Sequence, residues 1–338
     1  MKKSITLILV LTLILGAFAV IGNHDSDEGT EQDTLSVAVV VSSAFGDKSF
    51  NDSAREGTEL LKEDLGINVE YFECNNEGIK QQLMNAAENA DIVVAVGWQC
   101  YEISEVAPEH PSVKFILVDN PAEGIADIPN LISITYAQNE GSFLAGYIAA
   151  SMSKSGIIGA VGGEDSQTTN DFIVGYRQGA KHADPDIKIE KIYAGDYEDP
   201  ELGEKCAQVL IDKGADVIFN VAGNTGNGIF AAAQESSLYA IGVDTDQKLT
   251  HPEYDDVIIC SMKKEVGQSL YDVIWAYAED GTWDGGKVMV TDIASGHISI
   301  AYGDENSMQQ VSDSLKAEVE ELAKKIVSGD IKVKTTRK

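Results

Sequence analysis

The sequence predicts an α/β protein: two doubly wound parallel-sheet lobes around a hinged cleft. Three observations carry this. From Leu35 onward, apolar runs of five or six residues alternate with amphipathic stretches, the pattern of a parallel sheet covered by helices on both faces. The alternation restarts at Gly156, so two similar units stand in series. The segment beyond the second unit is too short to enclose its own core, so it must return to the lobes already formed and cross between them more than once.

In order, Leu35–Val41 reads as a strand and Asn51–Leu65 as an amphipathic helix stopped at Gly66. Asn68–Glu73 is a strand, Glu77–Ala90 a helix, Ile92–Val96 a strand and Tyr101–Ala107 a short helix. Lys114–Val118 and Leu131–Tyr136 are strands, and Gly141–Met152 is a helix. The second unit runs strand Ile157–Val161, helix Asp171–His182, strand Lys188–Tyr193, helix Pro200–Lys213, strand Val217–Val221, helix Gly228–Gln234 and strand Tyr239–Val243. The tail adds strand Val257–Ser261, helix Lys264–Glu279, short strands at Met289–Val290 and Ile298–Ala301, and a solvated helix over Ser307–Ser328. The expected division is residues 35–153 with about 262–282 as the first lobe, and 154–261 with about 283–338 as the second.

The first residues read as an export segment. Met1-Lys2-Lys3 is basic, Ile5 to Ile21 is almost unbroken apolar sequence, and Ala17-Phe18-Ala19 is a small-residue cleavage site. Residues 1–21 are therefore an export signal or a membrane anchor, and 22–34 a flexible acidic linker. The expected location is extracytoplasmic, at the outer face of the cell membrane or in the periplasm.

Composition narrows the chemistry. The chain carries 55 acidic and 25 basic side chains, a net charge of −30, which argues against a nucleic-acid partner. Its only arginines are Arg55, Arg177 and Arg337, so a guanidinium clamp for a phosphate or dicarboxylate is scarcely available, and a neutral or cationic ligand is expected. The four cysteines and five histidines are scattered without metal-ligand spacing, and no Gly-x-Ser-x-Gly elbow occurs. No cofactor or metal is expected, and the cysteines read as small core residues.

Ligands of doubly wound sheets sit outside the carboxyl ends of the strands, which selects the loops to inspect. After the first strand come Ser42 and then Gly46-Asp47-Lys48-Ser49-Phe50-Asn51. Ser49 and Asp47 suit a helix start, whereas Phe50 with Asn51 offers a flat ring face beside an amide donor and acceptor, which a planar heterocycle needs. Trp98 follows the third strand, and Asp119 the fourth; the second reading of Asp119 is a turn cap before Pro121. In the second unit, Gly223 lies in the glycine-rich turn 222–228, whose spacing is not a dinucleotide fingerprint and lacks a P-loop lysine. Asp244 ends one strand and Lys264 follows the next, so the two could chelate a vicinal diol or simply close the lobe as an ion pair.

Seven segments together resemble one family. They are Gly-Asp-Lys-Ser-Phe-Asn (46–51), Phe-Ile-Leu-Val-Asp (115–119), Gly-Ser-Phe-Leu-Ala-Gly-Tyr-Ile-Ala-Ala (141–150), Gly-Tyr-Arg-Gln-Gly-Ala-Lys (175–181), the 214–228 stretch, Ile-Gly-Val-Asp-Thr-Asp-Gln (241–247) and Ser-Met-Lys-Lys (261–264). From residue 35 to about 330 the chain resembles the basic membrane protein family, the extracytoplasmic substrate-binding proteins of ABC transporters that include purine nucleoside receptors. The resemblance implies a periplasmic-binding-protein-like fold of type I, a nucleoside in the cleft, an ABC permease with its ATPase as partners, and no catalysis. By position, Phe50 looks like the first stacking aromatic, Asn51 like the base-contacting amide, and Asp119, Asp244 and Lys264 like the polar groups around the sugar. Tyr197 falls where the second stacking aromatic is expected, and Gly223 would approach by its backbone. Two departures stand out. Val41-Ser42-Ser43-Ala44 occupies the place of the family's Thr-Asp-Gly stretch, and no cysteine stands just after the apolar leader to carry a lipid. The competing class is a ligand-binding sensor that presents its closed form to a signalling partner. An enzyme would need a base–nucleophile pair, a metal cluster or a dinucleotide turn, none of which the sequence offers.

Overall fold

A computed structural model describes residues 34–336; the expected export segment and nearly all of the acidic linker lie outside them. Two six-stranded sheets form the two lobes. The first has strands β1 (Ser36–Val41), β2 (Asn68–Glu73), β3 (Ile92–Val96), β4 (Lys114–Val118), β5 (Leu131–Tyr136) and, late in the chain, β11 (Lys287–Thr291), in the order β11-β5-β4-β3-β1-β2. All its pairings are parallel. The helices of this half are α1 (Phe50–Leu65), α2 (Ile79–Ala87), the single turn α3 (Ile103–Val106) and α9 (Val266–Asp280). The second sheet has the order β12-β10-β9-β8-β6-β7, from β6 (Ile157–Gly162), β7 (Lys188–Tyr193), β8 (Val217–Val221), β9 (Tyr239–Asp244), β10 (Ile258–Lys264) and β12 (Ile298–Ala301). β12 is antiparallel to β10. Helices α4 (Gln138–Met152), α5 (Gln167–Ala183), α6 (Pro200–Asp212), α7 (Asn227–Glu235), the short α8 (Gln247–Thr250) and α10 (Asp313–Val327) complete the chain. The central strands β3, β5 and β8 are buried along their whole length; β3 is apolar throughout, while β5 also buries Ser133 and Thr135 and β8 buries Asn220.

The lobe boundaries differ from the expected ones in two places. Residues 138–152 were expected with the first lobe, but α4 packs on the second. Glycines bring the backbones of α4 and α5 together: a Cβ on Gly146 would stand 2.0 Å from the Tyr176 carbonyl oxygen, and one on Gly179 only 1.8 Å from that of Phe143. The chain thus crosses over at Ala137, not near Ser153. Conversely, β11 lies in the region expected with the second lobe, yet it pairs with β5 of the first, so the return to lobe one extends to Thr291. A five-residue strand with an exposed edge has no sequence signature for which sheet it joins. Among the described residues, all four cysteines are free and buried, and no helix is long and apolar enough to cross a membrane.

Candidate functional site

The carboxyl ends of both sheets bring their loops to one cavity between the lobes. The space not filled by atoms is about 700 Å³, part of it open to solvent. The first lobe contributes the loop between β1 and α1, the Gly97–Gln99 turn after β3, and Asp119 after β4. The second contributes the start of α5, the 197–198 loop, the turn after β8, and the last residues of β9 and β10.

The β1–α1 loop is held tightly by its own lobe. Ser49 occupies the cap position of α1 but makes no capping bond with its side chain. Asp47 takes that role: its carboxylate accepts from the backbone N–H groups of Ser49 (3.0 Å), Asn51 (2.8 Å) and Asp52 (3.1 Å). Burial raises the Asp47 carboxyl to about 7, against the pull of those three donors. The Asp52 carboxylate accepts from the N–H groups of Gly46 and Lys48, and Arg55 lies over the rings of Phe45 and Tyr71. Asn51 donates both amide hydrogens back to the loop, to Ser43 Oγ (2.9 Å) and the Ala44 carbonyl (2.8 Å). It therefore has only Oδ1 left for the cavity, an acceptor rather than the donor and acceptor expected.

Charge is concentrated opposite this loop. Lys264 is 2% exposed and donates to Asp119 Oδ2 at 2.5 Å, so the ion pair spans the two lobes. The lysine was expected beyond its strand and beside Asp244; it is instead the last residue of β10, and its salt bridge is to Asp119. The ammonium lies over the rings of Phe50, Tyr136 and Phe172, at 4.4, 5.0 and 5.5 Å from their centres. Asp244 is buried at the end of β9 and accepts a 2.6 Å hydrogen bond from Ser49 Oγ across the cleft. Burial raises its carboxyl; Lys264 and the Ser49 hydroxyl counter that effect. Asp119 and Asp244 have φ of 71° and 65°, a left-handed conformation that Asp tolerates better than most residues. Asp119 Oδ1 and Trp98 Nε1 are buried without a hydrogen-bond partner among the described residues.

The family model for ABC transporter substrate-binding proteins, PnrA-like (Bmp), matches residues 34–337. The chain belongs to this family. Basic membrane protein A of Borreliella burgdorferi is 32% identical over 306 residues, covering 89% of this chain and 88% of the relative. A CD4+ T-cell-stimulating antigen of Listeria innocua is 31% identical over 364 residues, covering 98% and 99%. Among solved structures, an ABC transporter solute-binding protein of Aeropyrum pernix superposes with a TM-score of 0.78 at 26% identity, covering 88% of this chain and 92% of that one. Another from Conexibacter woesei gives 0.73 at 26% identity, covering 90% and 100%. The two lobes with parallel sheets match this solute-binding architecture.

In this Bmp-family chain, all ten residues singled out in the sequence line the one cavity. Their roles in the fold differ. Ser42 donates to Gln99 Oε1 at 3.5 Å, and Trp98 turns inward from the β3 end. Tyr197 shares a 3.0 Å hydrogen bond with Thr169 Oγ1, and its ring lies where a Gly163 side chain would otherwise stand. Gly223, with φ of 56°, keeps the turn after β8 close to Tyr197. The sequence reading missed Phe172 and Glu198. Phe172 was hidden because the helix was expected from Asp171, whereas α5 begins at Gln167, capped by Ser166, so Phe172 lies in its second turn facing the cleft. Glu198 adjoins Tyr197; burial raises its carboxyl, while hydrogen bonds with Ser43 and Asn224 lower it. The Ser166-x-x-Thr169 cap was the available signal for the earlier helix start.

Proposed function

We propose that the protein binds a nucleoside, with a purine as the preferred base, in the interlobe cleft and delivers it to the permease and ATPase of an ABC importer. It does so on the extracytoplasmic side of the cell membrane, held there by its leader and acidic linker, and without chemical turnover. The observation that carries this reading is the cluster at Lys264. A buried ammonium and the unpartnered Asp119 Oδ1 supply a directional donor and acceptor for sugar hydroxyls, directly beside the Phe50 ring. Asp244, which lines the same cavity and feels the charge of the same lysine, is the second acceptor for a diol.

The aromatic faces of Phe50 and Tyr197 hold the base, and Asn51 Oδ1 accepts from its edge. Trp98, Ser42 and Asp47 shape that end of the cavity, and Gly223 lets backbone approach the ligand. Family membership supports solute capture for an ABC system. The nucleoside is our reading of the ring-and-diol chemistry, supported by the same membership. Calorimetry with a nucleoside panel tests it: binding at micromolar affinity or tighter, about −8 kcal/mol or better, is expected, with the ligand recovered intact. Release of free base or ribose would overturn binding without turnover, and no binding by any nucleoside would overturn the ligand assignment.

A further inference from the structure

The β1–α1 loop makes a second set of contacts that the ligand site does not use. Beyond Asp47 it reaches across the cleft and is received by the second lobe. The Lys48 carbonyl accepts from Thr245 Oγ1 at 3.0 Å and Thr250 Oγ1 at 3.4 Å. The Asp47 carbonyl accepts from Asn227 Nδ2 at 3.2 Å. Lys48 Nζ lies 3.9 Å from Glu253 Oε1. Lys48 itself has φ of 50°, uncommon for a residue with a side chain, and this conformation comes with its N–H held by Asp52. None of Lys48, Asn227, Thr245 or Thr250 lines the cavity.

We infer that Lys48 is an interlobe latch and that Thr245 and Thr250 are its keeper, positioning residues that set how long the lobes stay closed without touching the ligand. The part on the first lobe is rigid, because the Asp47 cap, the Asp52 carboxylate and the Arg55 clamp fix the loop before it meets its partner. The part on the second lobe is a pair of hydroxyls, Thr245 just before the short α8 and Thr250 at its last position, and these contacts exist only while the lobes are together. A bound molecule leaves only after the lobes part, so breaking the latch should act on release far more than on capture.

The test uses the full chain with Thr245→Val and the double variant Thr245→Val/Thr250→Val, which remove hydroxyls at nearly constant volume, and Thr245→Ser, which keeps one. The ligand arm rests on the nucleoside reading and uses adenosine in stopped-flow. The double variant should release it about tenfold faster with a little-changed association rate, and Thr245→Ser should release it at close to the wild-type rate. The second arm needs no ligand: small-angle scattering of the unliganded double variant should show a larger radius of gyration than wild type at an unchanged melting profile. If wild type fails to bind adenosine, the nucleoside reading falls while the scattering still decides the latch. Wild-type dissociation together with wild-type scattering in the double variant would overturn the latch, as would a Thr245→Ser variant as fast as Thr245→Val.

Discussion

Lys264→Met is the substitution with the most to say about this cleft. Methionine is close to lysine in length, so little cavity is created and the change isolates the charge. An exposed ion pair would be worth about 0–1 kcal/mol. This one is not exposed: the Lys264 side chain is 2% accessible, that of Asp119 is 6%, and Asp244 is buried beside them. Removing the cation strands two carboxylates in an aromatic-lined site. Breaking a buried pair in this way costs about 3–5 kcal/mol, and the lost contact with the Phe50, Tyr136 and Phe172 rings adds to it. Asp119→Asn should remove most of that penalty when combined with Lys264→Met, giving a coupling of at least about 2 kcal/mol in a double-mutant cycle. Denaturation in urea, followed by circular dichroism and by tryptophan fluorescence, measures it. The three tryptophans, Trp98, Trp275 and Trp283, all belong to the first lobe, so fluorescence reports that lobe and dichroism both. A Lys264→Met protein within about 0.5 kcal/mol of wild type, or a cycle that is simply additive, would refute the reasoning.

The same geometry sets three further outcomes. Phe50→Ala should weaken nucleoside binding about tenfold or more in calorimetry, the usual value of one stacking face, with a lower melting temperature because the ring also floors Lys264; unchanged affinity would remove Phe50 from the ligand. 2′-Deoxyadenosine should bind about 1–3 kcal/mol more weakly than adenosine, since buried acceptors lose their donor; equal affinities would detach Asp119 and Asp244 from the diol. The Asp47 carboxyl, raised from its ordinary 3.8 to about 7, favours the protonated folded state. Its contribution to stability is thus full below pH of about 4 and lost as pH rises through 7, up to about 4 kcal/mol across that window. Asp47→Asn should flatten that part of the stability–pH curve, and parallel curves for the two proteins would exclude the effect.

Much of the fold was readable because burial imposes a period. Strands such as Val217–Val221 and Lys188–Tyr193 have the bounds expected from their apolar runs or alternation. Errors gather at element ends, where local conformation competes with propensity. α2 starts at Ile79, not Glu77, because Gly78 sits at φ of 63° just before it. α10 starts at Asp313, not Ser307, because residues 303–310 are drawn into a loop around the buried Lys248, which donates to Gln310 and to the Asp255 carbonyl.

By itself the sequence determined many of the residues that reach the cleft, though not Phe172 or Glu198, because a residue just past a parallel strand of a doubly wound sheet is delivered to the same edge. That is why Phe50, Asp119, Gly223 and Asp244, which come from four different strand ends, could be gathered without coordinates. It could not determine how those groups share their bonds. Adjacent strands made Asp244 the natural partner of Lys264, yet the ammonium forms its salt bridge with Asp119 of the other lobe, and Ser49 donates to Asp244 in its stead. Asp47 rather than Ser49 caps the helix, and Asn51 spends its donors on its own loop. Hydrogen bonds and ion pairs go to whatever stands within about 3 Å once the lobes have met. That distance is a property of the closed tertiary structure, and neither spacing nor periodicity along the chain encodes it.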